Sequence, residues 1–500
     1  MTDERCTTLS TGVPYAALRE THSGVVFLVG DRAYKSKKPV RTAFLDFSTP
    51  DRRAAALRRE LELNRRISPD VYLGLGRFSG PDQPDETVLV MRRMPADRRL
   101  STLVTTGAPV RDELRDLARL MAAFHTHAGR GPGIAVDGAA AALRGRWRAN
   151  VAELAGYRRA LLPDGLVDEI DRLATRFVDG RADLLTRRCV EGRVVDGHGD
   201  LIADDVFCLP DGPRVLDCLD FDDHLRHVDV LDDVAFLAMD LERLGRADLG
   251  AAFLDAYAEF SGDPAPTSLR HHYIAYRALV RAKVACLRHD QTGTGADADT
   301  AVRYSELSRD HLRRGAVRLA LVGGLPGTGK STIAGGLADR CGAVLLSSDR
   351  VRKELAGLDP VESVPAGFRE GLYSTDQTEA LYRHLLQRAE RLLAQGESVV
   401  LDASWTARHH RAAAVALAAR SSSDLVALEC RAPAQVAAQR IRERGATASD
   451  ATAAIAAAMA ATADPWPEAI VVDTTAGVDR CLADATDAWN GAPNSVLRVG

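Results

Sequence analysis

The sequence predicts two domains of different class: an α+β domain at the N-terminus, followed by an α/β domain built on a parallel sheet. Three observations carry this reading. The chain has 500 residues, and a single hydrophobic core stops growing at roughly 250–300. A polar stretch, QTGTGADADT (291–300), interrupts the helical patterns past the middle of the chain. Beyond it, apolar runs near 317–322, 343–347, 398–402, 424–429 and 469–473 alternate with helical segments, as parallel strands covered on both faces do. The expected domains are residues 1–290 and 316–500, joined by a linker and charged helix at 291–315.

In the first domain, GVVFLV (24–29) and AYKSK (33–37) read as strands joined at Gly30-Asp31, a hairpin signal. Ala56, Leu57, Leu61, Leu63 and Ile67 have helical spacing, ended by Ser68-Pro69. ETVLVM (86–91) is a further strand, and Leu114, Leu117, Leu120, Met121 and Phe124 mark a helix over 111–128. Helices continue from 138 to about 186. Short strands at 193–196 and 213–217 bracket HGDLIADDVF (198–207), and helices resume over 229–260 and 268–288. In the second domain, the Ala-rich stretch 451–463 is expected to be helical.

Composition excludes several classes. An apolar fraction of 46% with a net charge of −4 is neither a disordered chain nor a basic nucleic-acid binder. No apolar run reaches the ~18–20 residues of a membrane helix, and MTDERCTTLS carries no secretory apolar segment. The eight cysteines show neither CxxC nor zinc spacing, so reduced thiols in a cytoplasm are expected. Only six of the 65 basic residues are Lys, at 35, 37, 38, 283, 330 and 353, so a Lys marks a place where a compact point charge is needed. His22, His125, His198, His224 and His227 have no paired metal spacing and read as core or turn histidines.

The second domain opens with Gly324-Leu325-Pro326-Gly327-Thr328-Gly329-Lys330-Ser331, followed by Thr332. This matches G-x-x-x-x-G-K-[ST] in full, between a strand and a helix. Glycines there let backbone N–H groups fold round phosphate oxygens at a helix N-terminus. Lys330 would reach the β/γ phosphates of ATP and Ser331 would ligate Mg²⁺. Asp349, past the second strand in SSDRVRKEL, faces the same crevice to orient or deprotonate an acceptor hydroxyl; alternatively it caps the next helix. Arg352 is placed to hold an anionic acceptor. Asp402 ends the third strand as the acid holding Mg²⁺. Arg408 and Arg411 follow on a helix starting at the crevice, and Arg440 and Arg444 precede a lid-like segment, with guanidiniums suited to phosphoryl charge. About 315–495 resembles small P-loop kinases, a layout shared by gluconate-kinase-like enzymes, zeta toxins and the kinase half of polynucleotide kinases. The resemblance implies ATP-dependent phosphorylation of a hydroxyl with Asp349 as the acceptor-side carboxylate; specificity is expected within 356–375.

A second constellation lies in the first domain. Asp200 on a loop, Asp205 five residues on, and Asp217 at the end of the next strand offer one carboxylate for an acceptor hydroxyl and others for Mg²⁺. These residues resemble the aminoglycoside-phosphotransferase branch of the protein-kinase-like fold, whose H-G-D-[LF]-x-x-x-N and strand-ending Asp fall on 198–205 and 217. The resemblance implies Asp200 as catalytic base, Asp205 and Asp217 as metal-binding acids, and Lys35 of Ala33-Tyr34-Lys35 on the α/β phosphates with Glu60 as its ion-pair partner. It also implies 91–94 (MRRM) as the adenine hinge and Asp233 as a buttress for the catalytic loop. Asp205 stands where that family has Asn, T-H-S-G (21–24) replaces a glycine-rich loop, and the first strand is expected to be missing. Lys35 and Lys37 share a strand face, so spacing does not choose between them.

The tandem is similar to a bacterial family pairing a phosphotransferase-like domain with a C-terminal P-loop domain, through V-F-L-x-G-x-x-A-Y-K-x-K-K-P (26–39), F-L-D-F-S-T (44–49) and L-x-L-N-R-R (61–66). The expected activity is a cytoplasmic Mg²⁺/ATP phosphotransferase with two nucleotide sites, acting on a sugar, aminoglycoside or nucleoside-like hydroxyl. Alternatives are a regulatory first domain gating the second, and a nucleic-acid 5′-hydroxyl kinase, against which the charge balance speaks.

Overall fold

The computed structural model describes residues 15–20, 24–41, 46–79, 85–359, 371–443 and 452–491. The chain forms two compact units, Met1–Gly138 with Glu191–Pro264, and Ala139–Val190 with Ala265–Gly500.

The first unit holds a five-stranded antiparallel sheet, ordered β1-β2-β3-β5-β4. Its strands are β1 (Ala16–Glu20), β2 (Gly24–Val29), β3 (Arg32–Lys37), β4 (Tyr72–Phe78) and β5 (Glu86–Arg92). β2, β3 and β5 lie where the sequence places them. β1 corrects the expectation of a missing first strand: it pairs with β2 along its whole length. As a largely exposed edge strand it carries no apolar alternation, and in β4 two glycines break the pattern.

The helix Pro50–Arg65 starts at Thr49, whose hydroxyl accepts the Arg52 N–H, with Pro at the first helical position. It buries Leu57 against Ala33, Tyr72, Leu89 and Met91 of the sheet and against Val71 just before β4. The rest of the unit includes the helices Arg111–His127, Val230–Arg243 and Ala247–Ser261 and two small antiparallel pairs. These pair β6 (Val194–Asp196) with β9 (His227–Asp229), and β7 (Val206–Leu209) with β8 (Gly212–Val215). β7 and β9, three or four residues long, are too short to show a period of their own.

The second unit is built round a parallel sheet ordered β11-β12-β10-β13-β14. Its strands are β10 (Arg318–Gly323), β11 (Val344–Ser347), β12 (Val399–Asp402), β13 (Asp424–Arg431) and β14 (Ile470–Asp473), at the five expected places. Alternation along β10 sends Leu319 and Leu321 into a core with the helices Thr375–Ala394 and Arg408–Arg420. Ala320 and Val322 go into the opposite core with Lys330–Cys341 and Val478–Gly491.

The helices Ala140–Leu154, Leu166–Gly180 and Ala182–Val190 pack into this second unit, although the sequence boundary groups them with the first domain. A cause is the fully buried Arg181, which donates to the carbonyls of Leu393, Ser421 and Ser422. The Ser268 hydroxyl likewise donates to the Gly396 carbonyl at 2.7 Å. Of the polar stretch 291–300 only Gly293 and Thr294 are a turn; the rest belongs to two packed helices, Thr267–Thr292 and Gly295–Arg314. Among the described residues, no helix is long and apolar enough to cross a membrane.

Candidate active sites

In the second unit, β10 lies mid-sheet and is buried throughout. At its end the chain turns through Gly324 (φ 141°), Gly327 (φ 81°) and Gly329 (φ 84°) into the helix Lys330–Cys341. A Cβ on Gly324 would stand 2.5 Å from the Cys430 carbonyl oxygen, and one on Gly327 would stand 2.4 Å from that of Ala437. Only glycine allows both the dihedrals and the approach. Leu325, Pro326 and Thr328 complete the loop, and Lys330, Ser331 and Thr332 form the first helical turn. No side chain caps this helix, so its first N–H groups remain for an anion.

Neighbouring strand ends brace the loop. The Gly324 N–H donates to Ser404 O at 3.2 Å, and the Thr474 hydroxyl donates to Thr328 O at 2.7 Å. Ser404 precedes Trp405, a buried residue at φ 53°. The Trp405 N–H donates to the Tyr382 hydroxyl at 3.2 Å. A bulky residue at positive φ persists only when its surroundings impose it. The sequence carried no signal for Ser404, Trp405 or Thr474 as parts of the site.

Register places Asp402 beside Val322 on one side and Ser347 on the other. Asp402, ending β12, and Asp349, two residues past β11, thereby share one sheet edge. Asp402 is 4% exposed. Burial pushes its carboxyl above the ordinary value, opposed by Lys330 and by hydrogen bonds from Ser331 and Ser347, with Asp349 adding repulsion. Its Oδ1 is buried with no hydrogen-bond partner among the described residues. A donorless carboxylate oxygen beside a serine hydroxyl is a hard-oxygen set that fits a divalent cation such as Mg²⁺.

Asp349 sits in the first turn of Ser348–Leu355, and Ser347 is the N-cap, which corrects the reading of Asp349 as the cap. Lys330, Asp349, Arg352, Glu379, His409 and His410 are among the residues lining a pocket of about 250 Å³. Arg352 stacks 4.6 Å over the Tyr373 ring; burial draws its guanidinium below the ordinary value and Asp349 opposes this. Arg440 donates to the Thr474 carbonyl (2.7 Å) and hydroxyl (3.2 Å), close to Gly329. Arg444 lies outside the described residues. Arg411 is buried and spent on the Trp405 and Pro465 carbonyls, both at 2.7 Å, while Arg408 is exposed.

In the first unit, β3 and the helix Pro50–Arg65 bring the lysines and Glu60 together. Lys35 Nζ lies 2.7 Å from Glu60 Oε1 and 2.7 Å from Asp217 Oδ1. Lys37 Nζ lies 2.9 Å from Glu60 Oε2 and 2.9 Å from Asp220. Lys38 turns to Glu20 at 2.5 Å. Of the three, Lys35 lines a cleft of about 1660 Å³, together with Met91, Arg92, Arg93, Met94, Asp205 and Asp217. The sequence could not make that distinction.

Asp217 adopts φ 61° and its N–H donates to the Tyr72 hydroxyl at 3.0 Å. The next N–H, of Cys218, donates to Asn64 Oδ1 at 2.9 Å. Glu60 and Asn64 are one helical turn apart, so a single helix face grips both Lys35 and the segment bearing Asp217. Asn64 was missed; its one signal is scarcity, since Asn occurs four times in the chain.

The loop 198–200 is held from below. His198 is fully buried; its Nε2 donates to Leu216 O at 3.0 Å and its Nδ1 accepts the Asp200 N–H at 3.3 Å. Burial lowers its pKa, consistent with that neutral tautomer. Asp233, as expected, buttresses the loop by accepting the N–H groups of His198 (2.7 Å) and Gly199 (2.8 Å), and it also meets His125 at 3.0 Å. Burial works against its charge, but these contacts hold the carboxyl far below its usual range.

Lys35 holds the Asp217 carboxyl below its usual range, burial opposing. Asp205 is driven well above by burial, then by Asp217 and Asp200. Lys35 itself is raised well above the ordinary amine value, Asp217 and Glu60 outweighing the opposing effect of burial. Asp205 and Asp217 thus repel one another beside Lys35, and a divalent cation would relieve that repulsion.

Comparison with known proteins agrees with this geometry. Residues 24–272 match the phosphotransferase enzyme family, and residues 319–466 match an AAA domain. Uncharacterized proteins of Mycobacterium bovis and of two strains of Mycobacterium tuberculosis are 45% identical over 483 residues, covering 96% of this chain and 97% of theirs. Among solved structures, a choline/ethanolamine kinase family protein from Mesorhizobium loti is 15% identical over 61% of this chain and 92% of that one, with a TM-score of 0.39. A gluconokinase from Sinorhizobium meliloti 1021 is 18% identical over 36% of this chain and 95% of that one, with a TM-score of 0.27. With a phosphotransferase domain of kinase-like fold ahead of a P-loop domain, the chain is an ATP-dependent phosphotransferase, and it belongs to the same family as these mycobacterial proteins.

Proposed function

We propose that each unit transfers the γ-phosphoryl group of ATP to a hydroxyl of a small molecule, sugar, aminoglycoside or nucleoside-like, in the cytoplasm. The observation that carries this is the level sheet edge of the second unit, where Lys330, Asp349 and the donorless Asp402 meet. A divalent cation, held there by Ser331 and Asp402 and in the first unit by Asp205 and Asp217, would neutralise phosphate charge. Lys330 and the loop Gly324–Gly329 orient one triphosphate, and Lys35, steadied by Glu60, orients the other. Asp349 and Asp200 take the acceptor proton at a carboxylate oxygen. Arg352 holds an anionic part of the acceptor, and the guanidiniums of Arg440 and Arg444 neutralise charge on the transferring phosphoryl group. In this reading 1–290 and 316–500 act as the functional domains, with 291–315 between them.

The test is γ-phosphoryl transfer by the full-length protein against sugar, aminoglycoside and nucleoside pools. Lys330→Ala lowers transfer by the second site about 10²-fold or more. Asp200→Asn abolishes whatever transfer survives in Lys330→Ala. A second reading, a regulatory first unit, is favoured by the contact of Lys35 with Asp217, which spends that acid on the lysine. Turnover lost in Lys330→Ala and untouched in Asp200→Asn would select it.

A further inference from the structure

Three side chains outside both sites converge in the first unit. Asp137 Oδ2 lies 2.9 Å from His224 Nδ1 and 2.7 Å from His227 Nδ1. The three ligand atoms lie within 4.8 Å of one another. Asp137 and His227 are largely buried, with side chains 16% and 15% exposed, while His224 faces solvent at 75%.

We infer that Asp137, His224 and His227 form a binding site for a borderline transition-metal ion of the Zn²⁺ or Co²⁺ class, distinct from the Mg²⁺ positions of the phosphotransfer sites. The donor set decides the class. Two imidazole nitrogens and one carboxylate suit Zn²⁺, Co²⁺ or Ni²⁺, whereas Mg²⁺ takes oxygen ligands. Three protein ligands leave open positions for water on the exposed His224 side.

Two of the ligands are preorganised by backbone. The turn Val136–Gly138 carries Asp137 against β6 so closely that a Cβ on Gly138 would stand 2.2 Å from Val194 Cγ2. His227 opens β9 and pairs with Asp196 of β6. The third, His224, sits in the helical turn Asp223–Arg226, whose buried Arg226 donates to Asp196 at 2.8 Å and to Leu219 O at 3.1 Å. Both rings aim Nδ1 at one oxygen; a cation bound there takes the two Nδ1 lone pairs, and the protons of those hydrogen bonds pass to Nε2 or leave to solvent. Occupancy fastens the segment between Asp217 and His227 to the turn at 137.

The experiment titrates metal-stripped full-length protein with Co²⁺ and follows its visible d–d absorption. A saturable band, displaced by one equivalent of Zn²⁺ and indifferent to Mg²⁺, is expected. Asp137→Asn and His227→Ala each lower the affinity of that equivalent more than about 100-fold. His224→Ala, at an exposed position that leaves the fold intact, lowers it at least about 10-fold. Glu379, His409 and His410 form a similar group in the second unit, so Glu379→Gln is the control and leaves this equivalent in place. No band in the wild type, unchanged affinity in His224→Ala, or loss of the equivalent only in Glu379→Gln would overturn the assignment.

Discussion

Asp402 is held in a state that disfavours its own ionisation. Its carboxyl is buried and raised, so ionisation costs the folded chain. The folded state binds more protons than the unfolded one above the ordinary carboxylate pKa of 3.8, and stability from this group falls as pH rises through that window. Asp402→Asn is therefore expected to leave the urea midpoint at pH 7 unchanged or higher, while phosphoryl transfer by the second site drops about 10²-fold or more. Asp233 has the opposite sign. Its carboxyl is lowered, so its contribution is present above 3.8 and is lost as pH falls through the folded value. Removing it leaves the N–H groups of His198 and Gly199 and the ring of His125 without their acceptor. Asp233→Ala should cost about 3–5 kcal/mol in urea unfolding. The motif residues Asp200, Asp217, Lys330 and Asp349 were legible because their chemistry is written in short runs. Asn64 and Thr474 were not, because each acts on a backbone group distant in sequence: Cys218 for Asn64, Thr328 for Thr474.

Among the elements, the glycine turn after β10 was legible down to its residues. A run of apolar residues, three glycines and a Lys specify strand, turn and helix locally. Gly327→Ala tests it: with φ at 81° and a Cβ 2.4 Å from Ala437 O, the substitution should strain the turn by about 1–3 kcal/mol. Calorimetry with a non-hydrolysable ATP analogue should then record weaker binding. β10 and β12 were legible because buried parallel strands are continuous apolar runs, and β11, β13 and β14 keep such runs although partly exposed. β1 and β4 were not: an exposed edge and glycine interruptions erase the period on which recognition depends.

For the molecule as a whole, the second unit has an acid sensitivity built into its helical part. His272 is fully buried, accepts the Trp147 Nε1–H at 3.1 Å and stacks on Phe177 at 4.1 Å. Burial pushes its pKa from 6.5 down to about 3. Between those values the unfolded chain takes up a proton that the folded one refuses, so stability falls as pH drops, by up to ~1.4 kcal/mol per unit. Urea midpoints between pH 7 and 4 should show this slope, and His272→Gln should flatten it. The same helices show where legibility ended. Residues 139–190 follow the first domain in sequence yet pack into the second unit, because a buried arginine at 181 finds its carbonyl partners at 393, 421 and 422. By itself the sequence determined the two fold classes, the glycine turn ahead of Lys330 and the acids near the strand ends, since each is encoded in residues adjacent in the chain. The tertiary structure alone decided which lysine faces the cleft, what steadies Asp217, and that two histidines meet Asp137. Those outcomes depend on contacts between residues tens to hundreds of positions apart, which no local periodicity or motif specifies.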